Sequence, residues 1–244
     1  MAWAFTAVGT SKIVEGTDPS LDMTGLSPTG SGGILLGIID VKGAASAFGT
    51  PTGWTEVFTS ETADGAFACF SRLSDGGAND EPTFTVTGGA LTTAAFISRW
   101  TGGNETLASL LNGTLQTATA GGSGSISLPE ITPSVDNCLV IRGGHVKDDI
   151  GPATTYPGTL LTQNNINLVS DMWHAWVYEI QTTATLVSAG SITGTAGTNT
   201  THGRAFALTA GTASSTPRGR LLAGSSSGDM SAVARTSYLN GVLQ

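Results

Sequence analysis

Charge is what this sequence has least of. Only 11% of its 244 residues are Asp, Glu, Lys or Arg, against about a quarter in an ordinary globular chain. The surface must therefore be covered by Thr, Ser, Asn and Gly. Such a surface suits a chain held in an assembly or working outside the cell, where solubility depends less on net repulsion. Lysine is nearly missing: Lys12, Lys42 and Lys147 are the only three, and the net charge is −8. A nucleic-acid binder neutralises phosphates with a Lys/Arg patch. No such patch is visible, so nucleic acid is not an expected partner. Long apolar runs are missing too. The longest, residues 34–41, is less than half the roughly 20 residues a spanning helix needs, so no membrane association is expected. The opening residues, MAWAFTAVGTSK, lack the basic start and apolar stretch of a secretory signal. The expectation is synthesis in a cytoplasm without export by that route. Cysteine is limited to Cys69 and Cys138. Each sits in an apolar strand-like run and is expected as a buried small hydrophobe, not as a disulfide partner or metal ligand.

Helix formers are the next deficit. Glycine occurs 34 times and threonine is abundant, and both disfavour helix interiors. What is present instead is apolar residues that alternate or form short runs bounded by Gly, Pro, Asn and Asp, the pattern of strands. Residues 3–8 and 20–26 read as strands. Residues 33–41 (GILLGIIDV) read as a central strand buried on both faces, with Gly37 where another group packs closely. Residues 49–102 hold a turn at TPTG and four strands: 54–60, with Trp54, Glu56 and Phe58 on one face, then 65–73, 82–87 and 91–100. Residues 101–125 read as a glycine-rich crossing with a short helix near 105–111. Further strands are expected at 125–131, at 137–146 with a bulge or close approach at Gly143 and Gly144, at 171–182, more weakly at 186–192, and at 203–209. Residues 147–170 read as a long loop. No internal repeat of the solenoid kind is visible. About ten to twelve short strands predict an all-β fold, a jelly-roll-like antiparallel β-sandwich over residues 1–210. Residues 211–244 turn to Gly, Ser and Ala, with Arg218, Arg220 and Arg235 as candidate partner contacts. They read as a poorly structured C-terminal tail or arm that packs on a neighbour.

The order of segments carries a resemblance. A GILLGIIDV strand is followed by PTGWTEV, FACFSRLSDGGANDEPTFTVTG, AAFISRWTG, ITPSVDNCLVIRGGHV and RAFALTA. This resembles a group of phage and prophage proteins that share Pro-x-Gly-Trp-Thr, Glu-Pro-x-x-Phe-Thr and Thr-Pro-x-x-Asp-Asn-x-Leu-Val. It covers roughly residues 20 to 210. The motifs are structural punctuation: Pro51, Gly53 and Trp54 make a turn and a large anchoring ring, Glu81 and Pro82 open a strand, and Asp136 and Asn137 turn into a buried one. The resemblance implies a jelly-roll module on a virion surface. The function it implies is a non-enzymatic bacteriophage structural protein, a capsid decoration or cement protein. Its implied partners are the major capsid protein or tail proteins, and it would be a homo-oligomer such as a trimer. The alternative is a tail-associated receptor- or carbohydrate-binding module that meets a host surface glycan.

No residue pattern points to a reaction or to a cofactor. His145, His174 and His202 look scattered and lack metal-ligand spacing. His145 with Lys147, Asp148 and Asp149 would make either a cation loop or, more simply, a solvated turn. Asp75, Asp80 and Glu81 share a Gly-rich loop and offer oxygens for calcium, but without the regular spacing of calcium loops. No Gly-x-Ser-x-Gly elbow occurs on a strand-turn-helix pattern. Trp173, Trp176 and Tyr178, near Asn164, Asn165 and Asn167, are the candidate ligand contacts. As an exposed row they would stack on sugar rings; the simpler expectation is that they fill the core.

Overall fold

The computed structural model describes residues 2–43, 47–62, 65–102, 107, 110–120, 124–148, 152–166, 171–194 and 199–210. Among them the fold is all-β and antiparallel, with sixteen strands in four sheets. The strands of the first half are β1 (Ala4–Val8), β2 (Lys12–Thr17), β3 (Ser20–Asp22), β4 (Ile34–Lys42), β5 (Ala47–Gly49), β6 (Thr55–Thr62), β7 (Gly65–Leu73), β8 (Thr83–Thr87) and β9 (Ala90–Thr101). Those of the second half are β10 (Leu111–Ala120), β11 (Ser125–Leu128), β12 (Cys138–Val146), β13 (Thr159–Ile166), β14 (Met172–Gln181), β15 (Gly190–Thr193) and β16 (Thr201–Leu208). Residues Met1–Ala213 group as one unit and Ser214–Gln244 as another. The second unit, and with it the tail's Arg218, Arg220 and Arg235, lies outside the described residues.

The sheets stack as four layers. A six-stranded sheet, β1–β9–β4–β7–β6 with β2 also paired to β9, packs against a five-stranded sheet, β10–β16–β12–β14–β13. The seam between them is filled by Ile34, Leu36, Ile38, Phe67, Phe96 and Trp100 from one side and Leu139, Ile141, Trp176, Phe206 and Leu208 from the other. A three-stranded sheet, β3–β8–β5, covers the outer face of the first large sheet, with Leu21, Phe84 and Val86 on Leu35, Ile39 and Phe70. The pair β11–β15 covers the outer face of the second, with Ile126, Leu128 and Ile192 on Val146, Trp173 and Val177. Each large sheet is thus buried on both faces. This is why β4 and β12 read as unbroken apolar runs rather than as alternating strands.

The two halves repeat one topology. The strands β1/β2, β3, β4, β6, β7, β8 and β9 correspond in order to β10 through β16, and each half forms one large sheet and one cover with the same neighbours. Even an irregularity is shared. Register slips between Glu56 and Phe58 in the β6–β7 pair and between Leu160 and Thr162 in β13–β14. Aligning these bulges, and following the ladders to the central strands, places Asp40 and His145 at equivalent positions.

The structure changes several expectations. The bulge at Val57 flips the face of β6, so Trp54 packs under the outer cover while Phe58 enters the central seam; a single alternating face for Trp54, Glu56 and Phe58 is wrong because a bulge adds one residue to one strand. The crossing at 101–125 contains β10, and the loop at 147–170 contains β13. Both are edge strands rich in Thr, Asn and Gln, which leaves little apolar alternation to read. Leu111 of the expected short helix opens β10; residues 105, 106, 108 and 109 lie outside the described residues. Short strands β2 and β5 were not expected. Both cysteines are free and buried, as their apolar settings suggest. The β12 ladder runs without a register shift through Gly143 and Gly144, so these glycines mark close approach, not a bulge: a Cβ on Gly143 would lie 2.4 Å from the Trp176 ring.

Gly37 is a close approach in β4, on the face under the outer cover. A Cβ there would meet a Phe84 ring carbon at 2.5 Å and Trp54 at 3.3 Å. Gly37→Ala is expected to destabilise by about 1–3 kcal/mol through overpacking. Urea denaturation checks this: the midpoint should fall, and the loss should shrink in a Phe84→Leu background, where the clashing ring is gone.

Candidate functional site

All three histidines of the chain meet in one place. In the second large sheet His145 on β12 lies directly opposite His174 on β14 and His202 on β16. Directly opposed residues of antiparallel strands share a face, so the three form a row, and the row faces the central seam. Across the seam the equivalent row on the first sheet is Phe67, Asp40 and Ala94. His145 Nδ1 bonds Asp40 Oδ1 and its ring stacks on Phe67. The His145 and His202 ring centres are 5.0 Å apart. Two positions along β16, Arg204 sets its guanidinium 4.0 Å from the Phe67 ring centre and donates from NH1 to Gly203 O. Gly65 opens β7 against the two imidazoles, where a Cβ would lie 2.9 Å from His145. His145, His174 and Arg204 are wholly buried and His202 and Asp40 nearly so.

The expectations for these histidines are corrected accordingly. They are not scattered, and His145 is in neither a cation loop nor a solvated turn but inside a strand. Cross-strand register brings them together, and register is not written in residue spacing.

Burial dominates the electrostatics. It pushes His174 down to about 4, with nearby His145 adding to the drop and Asp40 opposing it. It pushes His202 down to about 4, reinforced by His145, Lys147 and Arg204. It pushes even Arg204 down to about 10, against the pull of Asp40. Among the described residues, Asp40 Oδ2, His145 Nε2, His174 Nδ1, both His202 nitrogens and Arg204 Nε find no hydrogen-bond partner. The chemistry open to this cluster is limited. Ser11 Oγ and His174 Nε2 share a hydrogen bond of 2.7 Å, which resembles a nucleophile and its base. A working triad needs a carboxylate to orient that base, and here Asp40 engages His145 instead. Among the described residues no group of three or more His, Cys, Asp or Glu is placed to hold a metal.

The other candidates resolve differently. Trp173 and Trp176 are each 1% exposed. Trp176 fills the central seam and Trp173 lies under the β11–β15 cover. Tyr178 is half-buried, stacked on Phe5 and edge-on to Trp100. These rings do not form the exposed row that sugar stacking requires, because β14 is a central strand with both faces covered. Asn164 donates to Ser11 O, and Asn167 lies outside the described residues. A cleft of about 190 Å³ touches Trp173, Gln163, Asn164 and Asn165, small for a ligand site. In the acidic loop a guanidinium holds the carboxylates. Arg72 Nε donates to Asp80 at 2.8 Å and NH2 to Asp75 at 2.6 Å, while Glu81 accepts from Gly25 N. Burial works to raise the Asp80 carboxyl, but hydrogen bonds from Ser74 and Arg72 outweigh it and hold Asp80 below the usual range. The calcium reading is replaced by a structural ion pair. The notches flanking this turn, about 260 and 340 Å³, are lined mainly by uncharged loop residues.

Compared with protein-family models, curated proteins and solved structures, the chain matches none.

Two outcomes are expected. Asp80→Asn should lower stability by roughly 3 kcal/mol, because it strips a buried guanidinium of its best acceptor. Asp75→Asn, at an exposed carboxylate, should barely move the urea midpoint. Stability should also depend on acidity. His174 and His202 titrate lower in the folded chain than in the unfolded one, so the stability their neutral forms supply is present above about pH 6.5 and is lost as pH falls toward 4. The loss is on the order of 3 kcal/mol per histidine, and calorimetric Tm against pH measures it.

Proposed function

We propose that the protein is a non-enzymatic structural component of a bacteriophage virion, a capsid decoration or cement protein that works through protein–protein contacts as a homo-oligomer. The observation that carries this reading is where the charge goes. Every arginine among the described residues, Arg72, Arg99, Arg142 and Arg204, is buried. Arg99 donates to Pro28 O, Gly30 O and Gly32 O, pinning the 28–32 turn, and Arg142 joins Ser188 O and Glu179. Polar groups that in an enzyme would converge on a cleft here tie loops to sheets. The surface that remains is poor in charge, as the centres of protein interfaces are. The resemblance to phage surface modules adds the setting.

The jelly-roll description belongs to the same reading. In the first half, β1–β9–β4–β7 in one sheet and β3–β8–β5 in the other follow a jelly-roll order, with β6 carried on the edge of the larger sheet. We read each half as one jelly-roll-like sandwich, the two packed through their larger sheets.

Binding to capsids of the encoding phage tests the proposal. Purified protein should cosediment with expanded capsids and appear on the head in cryo-EM maps of the virion, as a symmetric oligomer such as a trimer. Absence from the particle, or placement on the tail with glycan binding, would overturn it in favour of the receptor-binding alternative.

A further inference from the structure

The seam holds a feature that a decoration protein does not require. Its apolar part, from Ile34 to Trp100 on one sheet, would close without help. Yet at the end near Lys42, Val146 and Thr201 the two central strands cross on Asp40 and His145, with His174, His202 and Arg204 around them. Asp40 brings a carboxyl group and Arg204 a guanidinium to this buried end of the seam. We propose that this seam is an acid-operated latch, which protonation of His174 and His202 releases so that the two halves part while each keeps its own cover sheet packed.

Burial and the positive charges around these two imidazoles make their protonation unfavourable in the closed form, against the pull of Asp40. His174 meets Ser11 from the turn before β2, Phe96 from β9, and His145 and Asn164 beside it. His202 faces His145, Lys147 and Arg204, and among the described residues Asp40 is the carboxylate that acts on it. Two added protons would set two new cations beside Arg204 and Lys147. Lys42, at the end of β4, donates to Asp171 O at 2.6 Å and adds a further positive charge at this end. Burial opposes the charged imidazoles at both positions, and parting the sheets hydrates them. The outer contacts carry no histidine. The first cover rests on Leu21, Phe84 and Val86, and the second on Ile126, Leu128, Val187 and Ile192. Through the histidines, acid therefore acts on the central seam.

The two cysteines report on the two kinds of contact. Cys69 lies in the central seam, whereas Cys138 lies beneath the outer cover with Ile131 and Val187. The full chain would be labelled with 4,4′-dithiodipyridine, which reacts in acid, at pH 7 and near pH 4, and the sites read by mass spectrometry. Both thiols should be protected at pH 7. Near pH 4 Cys69 should react faster by about tenfold or more, as expected when a local opening replaces global unfolding, while Cys138 stays protected. The His174→Gln/His202→Gln double variant should lose that acceleration. Should it fail to fold at pH 7, His202→Gln alone should shift the acid step to lower pH. Equal Cys69 rates at both pH values, simultaneous labelling of both cysteines, or an acid step unchanged in the variants would each overturn the latch.

Discussion

The packing of the two large sheets against one another is the contact on which the rest depends. Opening it would expose Phe67, Phe96, Trp100, Trp176 and Phe206, and large rings dominate burial energetics. Closing the seam commits the opposite faces as well. β4 and β12 carry large apolar residues on both faces, so the small sheets must cover what the seam leaves bare. The layer order follows from two strands with apolar side chains on either side.

The two-fold repeat sets a condition on this contact. When two copies of one topology meet through the same sheet, the central strands cross near equivalent residues, and those residues face their counterparts. Here they are Asp40 and His145. Identical ionisable residues at that crossing would repel in a medium where like charges cannot both ionise. The halves therefore have to differ at that place even while they share strand order and bulge. The difference extends along the rows: Phe67 stands where the second half has His174, and Phe96 where it has Arg204. The contact of Arg204 on Phe67 is thus mirrored by that of Phe96 on His174. One half presents rings to the polar end of the seam and the other presents nitrogen.

This explains which parts were legible from residues alone. The strands β4, β7, β9, β12, β14 and β16 announce themselves because they are largely buried and rich in large apolar residues. Gly37 and Gly143 were legible as close approaches because a glycine within such a run has few other reasons to be there. The edge strands β10 and β13 were not, since Thr, Gln and Asn on an edge leave no alternation to count. The repeat was hidden for a related reason: what the halves share is order and register, while side chains at matched positions, Cys69 and Trp176 for instance, differ in size and kind. The histidine row was the largest omission. The three residues are 29 and 28 positions apart in the chain, and only the pairing of β14, β12 and β16 aligns them. Each lies within a strand, a usable signal once the strand order is known.

The burial of the arginines bears on how such a chain keeps its fold with so little charge. A guanidinium left in water contributes little to stability, and an exposed ion pair scarcely more. Placed inside, each can satisfy several carbonyls or carboxylates at once, as Arg99 does for the 28–32 turn and Arg72 for the 75–80 turn. Those turns are glycine-rich, with Gly30, Gly32 and Gly76 all at positive φ, and have few side chains of their own to pack. Arginine supplies from the strand what the loop cannot supply for itself. A sequence with few charges can thus place its arginines where they support its turns, and the charge left outside among the described residues is mostly acidic.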